Sequence, residues 1–333
     1  MLDKFITLIF DCVRAIGMTD GVPDIAWVDT IDVCQLKCPT CIRGVRGLPN
    51  SSRKMSLDTF AAIVARLRDQ GFVKIGLFNW TEPFLNQKIH EYVAVAKSSG
   101  FWITLSSTLS LRHIDNLEET LVAGVDLLTV SLSGIDQETY QINHVGGELN
   151  YVMNNLNLVR EIRLRNPMSL RVDLRLLKFD YNAGHEQPLR EYSERMGFNL
   201  EVINGVGNPK SNWLTQMDDA HFVREAAAAA DKPSPEDEGK ACELMFRQMT
   251  IDCVGDVYIC CAMPNYPSLR IGKFLEMTAN EILAAKYVHP FCRACTMPRR
   301  DRTEAEQARL QDAMKTVMIE NLAGPKAKAP LVA

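Results

Sequence analysis

The chain has 333 residues, 47% of them hydrophobic and 23% charged, the balance of an ordinary globular protein. That length suffices for a single α/β barrel with extensions, or for one large domain beside a small one. A formal net charge of −4 offers no electrostatic basis for binding nucleic acid or an anionic membrane, and no stretch approaches the length of a membrane span.

Residues 1–16 contain Asp3, Lys4, Asp11 and Arg14, and their longest apolar run, Phe5 to Phe10, is interrupted by Thr7, so nothing resembles a secretory signal. The ten cysteines are therefore read as metal-bound thiols of a reducing cytoplasm rather than as disulfides. An amphipathic helix is predicted over 2–16, with Phe5, Ile9, Cys12, Val13 and Ile16 on one stripe, packing over a barrel end.

From residue 25 strands and helices alternate. Strands are expected over 25–31, 73–78, 101–106, 126–132, 170–177 and 198–203. The intervening helices run from a Ser56 cap to about Gln70, then over 87–98, 114–123, 136–142, 150–164 and 185–196. Gly100, Gly124 and Gly197 stand where helix C-caps belong. Six such β/α units predict a parallel sheet of the α/β class. Buried parallel strands should be almost continuously apolar. Thr129-Val130-Ser131-Leu132-Ser133 and Arg171-Val172-Asp173-Leu174-Arg175 instead alternate, which implies a wet lumen that holds a polar ligand.

The first strand is followed at once by Cys34-Gln35-Leu36-Lys37-Cys38-Pro39-Thr40-Cys41, three thiols in eight residues. Loops at strand C-termini are where α/β folds collect their chemistry. Zinc motifs usually come as paired CxxC or with histidines, and no histidine lies within forty residues after Cys41. A [4Fe–4S] cluster normally takes four thiolates, so three leave one iron open to a ligand.

This C-x3-C-x2-C loop resembles the hallmark of the radical S-adenosylmethionine (radical SAM) enzymes, and the resemblance extends over most of the chain. It implies a partial (β/α)6 TIM-like barrel and a [4Fe–4S] cluster held by Cys34, Cys38 and Cys41. In that family SAM chelates the open iron and is cleaved to a 5′-deoxyadenosyl radical, with the electron coming from a reductant such as flavodoxin or ferredoxin. Many members carry an aromatic residue before the third cysteine, where this chain has Thr40. Asn79-Trp80-Thr81-Glu82-Pro83 stands where the family has Gly-Gly-Glu-Pro, which makes Glu82, beside Thr81, the expected partner of the SAM ammonium. By position Ser107, Thr108 and Ser133 would meet ribose and carboxylate, and Arg175 would clamp the carboxylate.

A helix is expected over Asp219–Ala230, after a loop at 206–217 and before a polar linker at 231–239. Cys242, twelve intervening residues, Gly255, four more and Cys260 follow, then Cys292-Arg293-Ala294-Cys295. Gln248–Asp252 and Asp256–Ile259 read as a hairpin turning at Val254-Gly255. The spacing alone admits zinc or iron–sulfur, and Cys261 could stand in for Cys260. Beside a radical SAM core, the pattern resembles the SPASM domain or its shorter relative, twitch, which implies one auxiliary [4Fe–4S] cluster on Cys242, Cys260, Cys292 and Cys295. Cys261 otherwise packs, or donates hydrogen to a substrate radical; Cys253 is expected in the hairpin, and His144 in a capping or packing role.

The expected organisation is an N-terminal helix (1–22), a core (23–205), a connecting helix and linker (206–240), the auxiliary domain (241–300), and a C-terminal helix and disordered tail (301–333). The twitch resemblance implies hydrogen abstraction from a small polar substrate, a sugar or polyol, ending in dehydrogenation or epimerisation. A peptide- or protein-modifying SPASM maturase is the alternative, although the short segment before the first strand leaves no room for a leader-binding domain. A non-catalytic iron–sulfur or zinc protein is the third reading.

Overall fold

The structure is a computed structural model that describes residues 24–46, 53–205, 217–229, 239–295, 297 and 299–322. The predicted helix over 2–16 with Cys12 and the 323–333 tail lie outside the described residues, as do nearly all of the 206–217 loop and the 231–239 linker.

The six predicted strands are β1 (Ile25–Val28), β2 (Lys74–Gly76), β3 (Trp102–Ser107), β4 (Leu127–Ser131), β5 (Arg171–Lys178) and β6 (Asn199–Asn204). Each pairs in parallel with the next, so order in the sheet follows order in the chain, with a helical crossover between successive strands. This is the parallel sheet predicted by the alternation, in the partial (β/α)6 barrel arrangement that the resemblance implies. Helix Leu57–Asp69 begins where Ser56 Oγ accepts from Thr59 N at 3.0 Å, and Gln137–Asn143 begins where Asp136 Oδ1 accepts from Thr139 N at 2.8 Å. Helix Glu186–Met196 ends at Gly197, whose φ of 68° suits a residue without a Cβ. Helix Leu149–Arg165 buries Val152, Leu156, Val159 and Ile162, one stripe at helical spacing, against the sheet.

The C-terminal cysteine segment is built into this sheet. After β7 (Lys240–Cys242) come β8 (Gln248–Ile251), β9 (Asp256–Tyr258) and β10 (Arg270–Lys273). β8 lies parallel to β1 on the flank away from β2, with Ile25 opposite Gln248 and Val28 opposite Ile251. The sheet therefore has nine strands, ordered β10-β9-β8-β1-β2-β3-β4-β5-β6. The predicted hairpin turn forms around Asp252, whose Oδ1 accepts from Val254 N and Asp256 N, while Gly255 takes φ 80°. A separate pair, β7 with β11 (Arg299–Asp301), sets Cys242 opposite Arg299. Helix Glu304–Leu322 packs back on the body, its Leu310 and Ala313 clustering with Leu283 and Ala284.

Candidate functional site

Cys34, Cys38 and Cys41 occupy the loop between β1 and the short helix Ile42–Arg46, and they line one cavity of about 240 Å³ at the strand ends. The loop is tight: Cys41 N donates to Cys38 O at 3.1 Å, and Val45 N donates to Cys41 O at 3.1 Å. A Cβ on Gly44 would lie 2.4 Å from both Cys38 N and Cys38 O, so only glycine fits there. Side chains tether the loop to the barrel. Gln35 Nε2 donates to Thr108 Oγ1 and Ser110 O, each at 3.3 Å, and Thr40 Oγ1 donates to Asn143 Oδ1 at 2.6 Å. Thr40 thus works as an anchor of the loop. Burial, with Glu82 nearby, pushes the Cys34 thiol up to about 12, and burial with the neighbouring thiols raises Cys38 well above the ordinary range. Thiolates in this pocket need a cation among them, which iron supplies.

Glu82 lines the same cavity and is only 2% exposed. Its Oε1 accepts from Ser107 Oγ at 2.7 Å and Phe84 N at 3.3 Å; its Oε2 accepts from Thr108 N at 2.9 Å and Thr108 Oγ1 at 3.1 Å. Burial raises its pKa, and these four donors oppose the rise. The carboxylate is thus pinned at a fixed angle at the cavity wall.

Asp29, which the sequence reading passed over, holds the other half of this loop. It accepts from Asn79 N at 2.8 Å, Thr81 Oγ1 at 2.6 Å and Trp80 N at 3.4 Å. Burial pushes its carboxyl up to about 6 despite those donors. The available signal was position, since Asp29 directly follows β1 on the way into the cysteine loop.

Among the other expected residues, Thr81, Ser107, Thr108 and Arg175 line the cavity, joined by Ser131. Arg175 Nε donates to Glu201 Oε2 at 2.5 Å on the neighbouring strand. Ser133 does not line the cavity: it lies past the end of β4, buried, with its carbonyl accepting from Asn182 Nδ2 at 3.0 Å. The polar lumen is also narrower than the alternation suggested, because Arg171 reaches solvent at the far end of β5 while pairing with the buried Asp173 at 2.7 Å. His144 has the capping and packing role expected of it, ending helix Gln137–Asn143 with its ring stacked on Tyr140 at 4.5 Å.

The second set of cysteines converges as well. Cys242, Cys260, Cys292 and Cys295 line one cavity whose walls are Leu244, Met245, Ile259, Met263, Phe291 and Met297. Burial, with Cys260 and Cys295 adjacent, pushes Cys242 up to about 12. Arg299 fixes the C-x2-C turn, donating to Cys292 O and Cys295 O at 3.0 Å each. Cys261, next along the chain, faces the barrel cavity instead, and its Sγ donates to Gln248 Oε1 at 2.5 Å. Cys253 is buried in the hairpin turn. No group of three or more Cys, His, Asp or Glu side chains among the described residues is gathered as a single metal ion requires. A mononuclear zinc site draws its thiolates in to about 2.3 Å from one centre, whereas a cluster accepts a wider cage. Three thiols around one cavity and four around the other are the donor sets that a [4Fe–4S] cluster with an open iron and a fully ligated one would take.

Comparison with known proteins gives the same class. The model of the radical SAM superfamily matches residues 28–176, and that of SPASM, an iron–sulfur cluster-binding domain, matches residues 242–305. The chain thus carries a radical SAM domain followed by a C-terminal SPASM domain. Its cofactors are accordingly SAM, the [4Fe–4S] cluster that binds it, and an auxiliary cluster. Among curated relatives it is similar to the PqqA peptide cyclase of Bradyrhizobium diazoefficiens, 24% identical over 37% of this chain and 32% of that protein. It is similar also to a probable GTP 3′,8-cyclase of Methanococcus maripaludis, 24% identical over 60% of this chain and 64% of that protein. The chain thus spans about a third of the first and a little under two thirds of the second. Among solved structures, Streptococcus suis SuiB bound to SAM shares the fold with a TM-score of 0.56 at 15% identity, over 81% of this chain and 67% of that one. AnSMEcpe with bound SAM does so with a TM-score of 0.53 at 14% identity, over 91% of this chain and 100% of that one. No described helix is long and apolar enough to cross a membrane.

Proposed function

We propose that this radical SAM enzyme oxidatively modifies a side chain of a peptide or protein. The observation that carries the reading is the cavity wall formed by Trp27, Phe78, Trp80 and Cys261, an apolar and aromatic surface in the same cavity as Glu82 and the cysteine loop. Such a wall suits an amino-acid side chain. The similarity to a peptide cyclase supports it, and the sugar or polyol expectation has no comparable support. SuiB, which shares the fold, has also been solved bound to its precursor peptide SuiA.

In this reading Cys34, Cys38 and Cys41 hold the SAM-binding cluster, and Cys242, Cys260, Cys292 and Cys295 hold the auxiliary one. When bound, SAM and its cluster supply the 5′-deoxyadenosyl radical that removes a hydrogen atom from the substrate. Glu82 receives the SAM ammonium, Thr81 and Ser107 steady that loop, and Arg175 receives the carboxylate. A substrate in the barrel cavity would lie beside Cys261, one residue from Cys260, and the auxiliary cluster would supply an acceptor for its second electron, with the hydrogen atom passing to the adenosyl group and a proton to solvent.

A second reading, a small polar substrate, is favoured by the similarity to a GTP 3′,8-cyclase and by Ser131 and Arg175 in the lining. Cys261 as hydrogen donor belongs with the epimerisation form of that reading. The test is to incubate reconstituted enzyme, SAM and dithionite with separate pools of peptides and of nucleotides and sugars. Mass spectrometry then finds which pool loses hydrogen in step with 5′-deoxyadenosine. Turnover of the nucleotide and sugar pool alone would replace the peptide reading.

A further inference from the structure

One buried charge has no role in the chemistry above. Lys286 lies on helix Ala279–Val288 and is 2% exposed. Its Nζ donates to the backbone oxygen of Gln248 at 2.6 Å, and it forms no ion pair with a carboxylate among the described residues. It lines the cavity of Cys242, Cys260, Cys292 and Cys295, amid methionine and other apolar side chains. Arg299, the other cation there, is turned to the carbonyls of Cys292, Cys295 and Met297. A lysine sealed into an apolar wall is strongly disfavoured unless an anion compensates it. Burial lowers its pKa, and Cys260, Cys261, Cys292 and Cys242 oppose that fall. Four thiolates around an iron–sulfur core form such an anion, and one-electron reduction makes the anion stronger.

We propose that Lys286 is the buried counter-ion of the auxiliary cluster, and that its charge raises the reduction potential of that cluster. The proposal rests on the assignment of the four cysteines as ligands. Its logic is that a fixed positive charge stabilises the more negative, reduced state more than the oxidised one. The position suits an electron acceptor. Gln248, whose carbonyl holds Lys286, uses its side-chain Oε1 to receive Cys261 Sγ at 2.5 Å and Trp27 Nε1 at 3.0 Å. One residue therefore joins the counter-ion to the wall of the substrate cavity.

The test uses the full chain with Cys34, Cys38 and Cys41 replaced by alanine, so that only the auxiliary cluster is read. After anaerobic reconstitution and counting of iron and sulfide, a potentiometric titration followed by EPR compares Lys286, Lys286→Met and Lys286→Arg. The expected result is a tenfold or larger loss in the one-electron reduction equilibrium for Lys286→Met, a downward shift of about 59 mV or more, with Lys286→Arg close to the parent. Loss of the cluster in Lys286→Met but not in Lys286→Arg would also support the counter-ion role. A fully loaded Lys286→Met with an unmoved potential would overturn this proposal alone, as would loss of the cluster in both folded variants. No cluster in the Lys286 parent would overturn the ligand assignment, and this proposal with it.

Discussion

Cys260 and Cys261 are neighbours in the chain and face different cavities: Cys260 joins Cys242, Cys292 and Cys295, while Cys261 joins Cys34, Cys38 and Cys41 around the barrel cavity. One peptide unit therefore separates the wall of the expected substrate site from the expected auxiliary cluster. In protein lacking the first three cysteines, Cys260→Ala should abolish the remaining iron and sulfide, and Cys261→Ala should leave them at parent levels. Equal loss in both variants would contradict this division.

Gly44 sets the curvature of the first cysteine loop. Its absent Cβ would stand 2.4 Å from Cys38 N and O, so Gly44→Ala must push the Cys38 peptide away. Overpacking of this kind costs about 1–3 kcal/mol. The expected outcome is reduced iron at the first site, with the auxiliary cluster intact in EPR spectra.

Glu82 is held by four donors before SAM arrives. Glu82→Gln keeps its size and removes its charge. A hydrogen bond to a charged group contributes about 1.5–3 kcal/mol, so SAM affinity should weaken roughly 10- to 100-fold. Equilibrium binding to the reconstituted enzyme measures it, and unchanged affinity would remove Glu82 from that role.

His144 gives a pH dependence of defined sign. Burial pushes its pKa down to about 4 from an ordinary 6.5, so the folded protein holds it neutral. Its contribution is fully present above pH 6.5 and is lost as the pH falls from there through 4, by up to about 3 kcal/mol. Asp29, raised by burial to about 6, acts in the opposite sense, losing stability as the pH rises through that value. His144→Phe keeps a ring on Tyr140 and removes the titration. Its melting temperature should therefore fall less between pH 6.5 and 4.5 than that of the parent.

The six β/α units were legible because each strand and helix carries its own period and caps, as Ser56, Asp136 and Gly197 do. The cysteine triplet and Glu82 were legible because both lie in short loops fixed to strand ends. The pairing of β8 with β1 was not, since Gln248 and Ile25 meet only through tertiary structure. Asp29 and Lys286 escaped notice for the same reason, because a single carboxylate or ammonium acquires meaning from what surrounds it. Ser133 was assigned by position, and the turn held by Asn182 carries it away from the cavity.

The central claim is that Cys34, Cys38 and Cys41 support SAM cleavage in the cavity that holds Glu82. The most direct measurement is 5′-deoxyadenosine formation by anaerobically reconstituted protein given SAM and dithionite, with and without a peptide pool. The account predicts product from the parent chain and none from the variant with all three cysteines replaced by alanine. Absence of product from a parent shown to hold both clusters, with peptides present, would contradict it.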